Sequence, residues 1–424
     1  MTTSNSPLDV IIIGAGISGL STAIALRRIG HNVKIYERSN LKNELGAAIH
    51  ISPNASRILL SWDFDVKRAR FVKAMKTYIA SGNTLQKFYE GSYDHVEPTY
   101  GAAWYLSHRV DLHEELKRLA TTSEGPGKPA VIIPNSKVDD YDVEAGTITL
   151  SNSEVHKADL IVAADGVHSQ ATKHILGSLQ YPEHTGQSAF RFLIPTADII
   201  ADPETADFVK DDDGRFKVFT GVRGNRIVWY PCRNNEEQNF AAIFHEDTSE
   251  TKEDWDASVS GEKLLEEYQD FHPAILAVFR KAKSVKKWPL LFREPLPAWY
   301  KSKLVLVGDA AHPMLPHQGQ AGAQAIEDSV ALGVVLNGVT KTELQNDPNA
   351  LAKRLELYQT IRRRRAAAMQ IFSNFGQDQG DKCAEAVKPY HDGPIPMNPA
   401  EFIVYNFSYN VKDHSEQALK DAKL

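Results

Sequence analysis

Three glycines in Gly14-Ala15-Gly16-Ile17-Ser18-Gly19 have the spacing that cradles a dinucleotide pyrophosphate. In a strand–turn–helix unit, Gly14 permits the tight turn, Gly16 lets the backbone approach the phosphates, and Gly19 lets helix and strand pack closely. The helix N-terminus adds unpaired N–H groups and a partial positive charge. Glu37 follows about 20 residues on, where a carboxylate takes a ribose 2′-OH and repels a 2′-phosphate, so the site suits FAD or NAD and not NADP. Two more Gly–Asp pairs occur downstream, Asp165-Gly166 and Gly308-Asp309. Each Asp ends an apolar run, and ligands of open α/β sheets sit at that carboxyl edge. A helix cap is the alternative role for either Asp.

The elements that must position these groups are legible as apolar runs. Residues 10–13 read as a strand buried on both faces, followed by a helix over 20–29 and a second strand over 33–36. Residues 158–164 and 303–307 read as further strands of the same kind. Between about 180 and 297 the pattern changes to short segments rich in aromatic and β-branched residues, at 189–194, 216–219, 227–230 and 240–244. Gly/Asn/Asp turns divide them, which predicts an antiparallel sheet. Residues 262–270 and 273–282 read as helices, and 288–291 as the return to the nucleotide-binding part. Short strand-like pieces occupy 77–80 and 104–106, and a helix begins at Ser107, with Arg109 in its first turn. Later helices cover 325–332 and 350–375. The run Arg362-Arg363-Arg364-Arg365 reads as a solvated helix face. The tail from Met397 reads as a packed extension with a frayed end. These elements divide into nucleotide-binding parts (1–75, 107–178, 298–345), substrate-sheet parts (76–106, 179–297) and C-terminal helices with the tail (346–424).

Composition excludes several alternatives. A net charge of −6 gives no basis for nucleic acid binding. Two cysteines, Cys232 and Cys383, make neither a disulfide framework nor a metal site. The first nine residues lack the basic and apolar regions of a signal peptide. No apolar run approaches the ~20 residues of a membrane helix, so a cytoplasmic location is expected.

In this order the three motifs resemble those of the single-component FAD-dependent aromatic hydroxylases, the group A flavoprotein monooxygenases. Within them the likeness is to the salicylate-hydroxylase-like branch with its fungal members. The stretch Gly46-Ala47-Ala48-Ile49-His50-Ile51 and the later Asn54-Ala55 resemble the family segment beside the flavin. The resemblance implies an α/β fold in which a Rossmann-type FAD domain is interleaved with an antiparallel substrate sheet, as in para-hydroxybenzoate hydroxylase, with helices at the C-terminus. It implies non-covalent FAD held by Gly14, Ala15, Gly16, Gly19, Glu37, Arg38, Ala48, Arg109, Asp165, Asp309, Gly322 and Ala323. NAD(P)H would be a transient co-substrate, since the chain has one dinucleotide turn. In that family NAD(P)H reduces FAD, O2 adds to form a flavin C4a-hydroperoxide, and its outer oxygen passes to an electron-rich ring. No metal or protein nucleophile is required. The helix of residues Tyr358, Arg362, Arg365 and Ser373 also falls on a family segment.

Catalytic candidates on the substrate sheet are Arg191 and Tyr230, which match pocket positions of fungal members. Period-2 alternation turns Arg191 away from Phe190 and Phe192, and a guanidinium on an inner face needs an anionic partner. Pro316 and His317 are candidates for the pocket mouth. Three departures stand out: Ala321 where the family has Gly, Thr172 followed by Lys173 where it has Arg, and no His ahead of Tyr230-Pro231. The implied substrate is a small phenolic or aromatic acid such as salicylate. The alternatives are a larger natural product (a phenolic polyketide or an indole), or a reductase, oxidase or vestigial binding protein. The protein is expected as a monomer or homodimer, without nucleic-acid or membrane partners.

Overall fold

The computed structural model describes residues 6–41, 47–210, 213–246, 258–375 and 380–424, which leaves Gly46 outside. Asp9–Ile13 lies at the middle of a parallel sheet, between Asn32–Tyr36 and Leu160–Ala163. Val131–Ile133 extends one side, and Leu304–Leu306 the other. Val10, Ile12 and the apolar residues of the two central neighbours are buried, as a two-faced sheet requires. On one face the helix Ile17–Arg28 packs against the helix Ala321–Leu336. Small residues allow the close approach: a Cβ on Gly333 would lie 3.2 Å from Ala25 Cβ, and Thr22 Oγ1 bonds Ser329 Oγ at 3.0 Å.

The second large sheet has the strand order Ser258–Val259, Val285–Phe292, Glu183–Pro195, Glu237–His245, Arg226–Cys232, Arg215–Thr220, Lys76–Ser81, Lys87–Ser92. Residues 288–291 are thus part of a strand and not a return segment. The sheet is also not purely antiparallel, because Arg215–Thr220 pairs with Lys76–Ser81 in parallel. Those two strands are joined through much of the chain and no hairpin dictates their direction. Trp104 and Leu106 lie elsewhere than expected. Tyr105–His108 pairs with Ala48–Ile51 and Val72–Lys73 in a separate small sheet. Ser107 and His108 end that strand, so the helix starts at Arg109, and His108 Nδ1 accepts from Val110 N at 3.3 Å as its cap.

The two faces of the large sheet differ in chemistry. Phe190, Phe192, Trp229 and Phe240 pack outward under the helices Gly261–Glu267 and Pro273–Phe279. Arg191 and Tyr230 point inward, in the register rows Arg191–Ala241–Val228 and Leu193–Asn239–Tyr230. Tyr230 stacks on Phe216 with ring centroids 5.4 Å apart.

The arginine run is not a solvated face. Arg364 is exposed, but Arg362 is fully buried and Arg365 nearly so. Arg362 bonds Glu327 at 2.6 Å and Asp328 at 2.8 Å, and Arg365 bonds Glu327 at 2.9 Å. Successive helical residues are turned by about 100°, so four arginines in a row must point to different sides. The tail covers this network through Pro399–Phe407 and Val411–Asp421, with Arg365 3.8 Å over the Tyr409 ring. No helix among the described residues is long and apolar enough to cross a membrane.

Candidate active site

The glycine-rich turn has the shape its sequence implies. Gly14 has φ +98°, and a Cβ there would lie 2.5 Å from Ala164 O. A Cβ on Gly19 would lie 1.9 Å from Gly14 O, so helix and turn touch. Gly16 has nothing within 4 Å of that position, which leaves its side of the turn open. Glu37 accepts from Ala15 N and from Ser39 N, each at 2.7 Å, and so braces the turn as well as presenting a carboxylate beside it.

The parallel register brings the two Asp residues to the same edge. Asp165 has an Oδ1 without a hydrogen-bond partner. Burial raises its pKa against the pull of Ser169, the Gln170 backbone and the Arg38 cation. Arg38 is therefore at this edge too. Asp309 opens onto the groove, but the protein packed around it raises its carboxyl, while His312, Arg109 and Arg293 pull it down. Sequence reasoning did not single out Asp328, which ties this turn to the helix behind it. It accepts from Gly308 N at 2.9 Å, His312 Nε2 at 2.6 Å and Arg362 Nε at 2.8 Å. Burial opposes its ionisation, but His312 and Arg362 hold it below its ordinary range.

The Ala321 departure is harmless. The left-handed residue is Gly319, φ +59°, and Ala321 opens the helix. The first intrahelical bond runs from Gln324 N to Gln320 O, leaving the N–H groups of Ala321, Gly322 and Ala323 ahead of it. Gly322 sits against the small sheet, where a Cβ would meet Ile49 Cδ1 at 2.9 Å, and the Ala323 side chain is fully buried. Thr172 is also buried and donates to Ser169 O at 3.2 Å, while Lys173 is exposed.

Across the groove, Arg191 donates from Nη2 to Ala48 O at 3.2 Å and lies 4.7 Å from the Trp288 ring centroid. Its Nε has no partner, and no carboxylate among the described residues pairs with it. Asn239 Oδ1 accepts from Ala48 N at 3.0 Å, so the strand end at Ala48 is held from both sides by the inner face. Desolvation pushes the Tyr230 phenol above its ordinary value, opposed by the Arg191 cation. His50 lies beside both and went unremarked in the sequence; its only signal there was its place in the segment resembling the flavin-side stretch. Its ring is 6.2 Å from that of Tyr230, and Trp104 Nε1 donates to its Nδ1 at 3.1 Å. Pro316 is exposed next to His317.

His317 is held from both sides. Arg226 Nη2 donates to Nδ1 at 2.7 Å, and Nε2–H donates to Gln187 Oε1 at 3.1 Å. Burial, with the Arg226 cation, lowers its pKa from 6.5 to about 3. Burial and Arg191 likewise lower His50 to about 4. His317 is thus a neutral latch between loop and sheet rather than a base. Both rings bind protons more weakly folded than unfolded, so their contribution to stability is full above pH 6.5 and declines as pH falls toward 4. Urea unfolding at pH 7.5 and 5.0 should show this loss, and His317→Gln should make the pH dependence shallower. An unchanged dependence would mean that His317 takes up its proton as readily in the folded protein as in the unfolded chain.

A dinucleotide turn, two Asp at one sheet edge and an inner sheet face that carries Arg191, Asn239 and Tyr230 make a nucleotide-binding groove faced by a second sheet. The residues fit FAD: Gly16 leaves a cradle open, and Asp165 has an unused oxygen. A family model described as an FAD binding domain matches residues 129–373, and one described as an FAD dependent oxidoreductase matches residues 9–48. The FAD-dependent monooxygenase cfoG of Aspergillus candidus is 40% identical over 98% of this chain and 96% of its own. Hispidin-3-hydroxylase of Neonothopanus nambi is 33% identical over 86% of this chain and 87% of its own. Among solved structures, a salicylate hydroxylase substrate complex superposes with TM-score 0.74 at 21% identity, covering 98% of this chain and 99% of that one. The chain belongs to the FAD-dependent monooxygenases.

Proposed function

We propose that this monooxygenase hydroxylates an electron-rich phenolic or aromatic-acid substrate, salicylate-like, bound as its anion, with NAD(P)H and O2 as co-substrates. One observation carries the reading: the Arg191 guanidinium stands on the inner face beside His50 and Tyr230 without a carboxylate partner. An unpaired buried cation is costly, and a phenolate or carboxylate supplies the missing charge through paired N–H···O contacts. FAD would be held by Gly14, Ala15, Gly16 and Gly19 at its phosphates and Glu37 at a ribose, with Arg38, Ala48, Arg109, Asp165 and Asp309 along its length and the N–H groups of Gly322 and Ala323 at the ring. Bound there, FAD would supply hydride acceptance from NAD(P)H and oxygen transfer from O2. The protein's own part is placement. Arg191 fixes the anion and favours its deprotonated form, Tyr230 hydrogen-bonds the same oxygen, and Val228 and Ala241 in the Arg191 register row give that face apolar side chains. A cytoplasmic monomer or homodimer belongs to the same reading.

A second reading is a larger phenolic natural product, supported by the likeness to hispidin-3-hydroxylase and to fungal monooxygenases. NAD(P)H oxidation with product analysis separates the two. Salicylate-stimulated oxidation with a hydroxylated product supports the first, and stimulation by larger phenols alone supports the second. Peroxide without hydroxylated product from either class would remove both.

A further inference from the structure

We propose that Trp104 is a positioning residue that locks His50 as its Nε2–H tautomer, so that His50 meets the substrate oxygen as a hydrogen-bond donor and not as a proton acceptor. The catalytic consequence rests on the phenolic reading above; the tautomer rests on hydrogen-bond geometry alone. His50 pairs with Leu106 across the small sheet, which brings Trp104 alongside, edge-on at 5.3 Å between ring centroids. An indole N–H has no lone pair to offer and can only donate. Trp104 Nε1 lies 3.1 Å from His50 Nδ1, so Nδ1 accepts and the proton of the neutral ring sits on Nε2. Trp104 is itself wedged, with Tyr93, Phe407 and Phe216 at 4.8, 5.4 and 5.7 Å between ring centroids.

The other edge of His50 borders the flavin-side loop. A Cβ on Gly319 would lie 1.9 Å from both His50 Cε1 and Nε2, so only glycine leaves room for the ring there. Nε2 makes no hydrogen bond among the described residues. The charged and titratable groups facing the ring are Arg191 and Tyr230 of the large sheet; Trp104, just ahead of the small-sheet strand, and Gly319 of the flavin-side loop do not titrate near neutrality. Burial and the Arg191 cation push the imidazole pKa down to about 4, so the ring is neutral at working pH. To act as a base at Nε2, His50 would carry its proton on Nδ1, pointing a donor at the indole donor. That opposition would leave a buried N–H unbonded and is disfavoured. The substrate oxygen must therefore arrive as an acceptor, already deprotonated or carbonyl-like.

Multiple-bond ¹⁵N–¹H correlation spectra of the FAD-loaded protein with ¹⁵N-labelled histidine test the lock, the His50 signals being assigned by their loss in His50→Gln. The expected wild-type pattern is the Nε2–H tautomer, without titration between pH 6 and 8. Trp104→Phe, which keeps an aromatic ring and removes the donor, should give a tautomer mixture. Turnover tests the role. His50→Gln keeps an N–H donor near the Nε2 position and should stay within about tenfold of wild type, whereas His50→Ala should lose about 10². A wild-type Nδ1–H tautomer, or a His50→Gln as inactive as His50→Ala with normal FAD content, would overturn the proposal. The wild-type spectrum and this pair of variants decide it even where Trp104→Phe fails to fold. If no phenol is turned over, the substrate reading falls while the spectrum still decides the tautomer.

Discussion

Replacing Arg191 by alanine should lower coupled hydroxylation roughly 10²-fold while FAD content stays normal, because a charge-assisted contact of about 2–3 kcal/mol to the substrate anion is lost. The guanidinium is placed for that contact by strand alternation, with Phe190 and Phe192 in the outer core and Arg191 between them facing inward. Part of its bonding is internal, to Ala48 O and over the Trp288 ring, so the variant also loosens the strand end at Ala48. Uncoupling should follow, with NAD(P)H consumed and peroxide released in place of product. Arg191→Lys keeps the charge but not the planar fork and should fall between wild type and alanine. The measurements are product per NAD(P)H consumed, and FAD released into the supernatant by acid precipitation. Near wild-type coupling in an Arg191→Ala protein that retains its flavin would assign the anion to other residues.

Arg362→Met should destabilise the protein by roughly 3–5 kcal/mol, the range for removing one partner of a buried ion pair and leaving the other charges uncompensated. Arg362 joins Glu327, Asp328 and Gln324 in a network with no exposed member. Glu327 also accepts from Asn54 Nδ2 at 2.7 Å, and Asn54 bonds Gln320 at 3.1 Å. Losing Arg362 therefore frees both the turn that presents Asp309 and the start of the Ala321–Leu336 helix, and FAD should be held less tightly. Arg364→Met is the control. Arg364 is 48% exposed and pairs with an Asp392 that is 80% exposed, so it should change stability by less than about 0.5 kcal/mol. Denaturant unfolding of both variants checks the difference. Equal stabilities would mean that the buried network holds nothing the protein needs.

The arginine run shows where sequence reading stopped. Four consecutive arginines look alike in one dimension, and their charge pattern suggests solvent. Only the helix phase relative to Glu327 and Asp328, together with the tail whose Tyr409 ring packs on Arg365, decides that two of them are interior. The same holds for His50 and Trp104, which are 54 positions apart and meet because Ala48–Ile51 pairs with Tyr105–His108. His317 was visible as a lone histidine, but its neutrality follows from burial and from the Arg226 cation, both set by the large sheet that also brings Gln187 to it.

What the sequence determined by itself was local or followed from local rules. The turn of Gly14, Gly16 and Gly19 depends on which positions lack a Cβ, and the buried parallel strands depend on unbroken apolar runs. The inward direction of Arg191 depends on a two-residue period. These are properties of neighbours in the chain, so a single sequence carries them. Tertiary structure decided the rest: the parallel pairing of Arg215–Thr220 with Lys76–Ser81, the separate small sheet, and which charges are neutralised by which. Those outcomes depend on contacts between residues far apart in sequence, whose energies exist only once the chain has closed the loops between them.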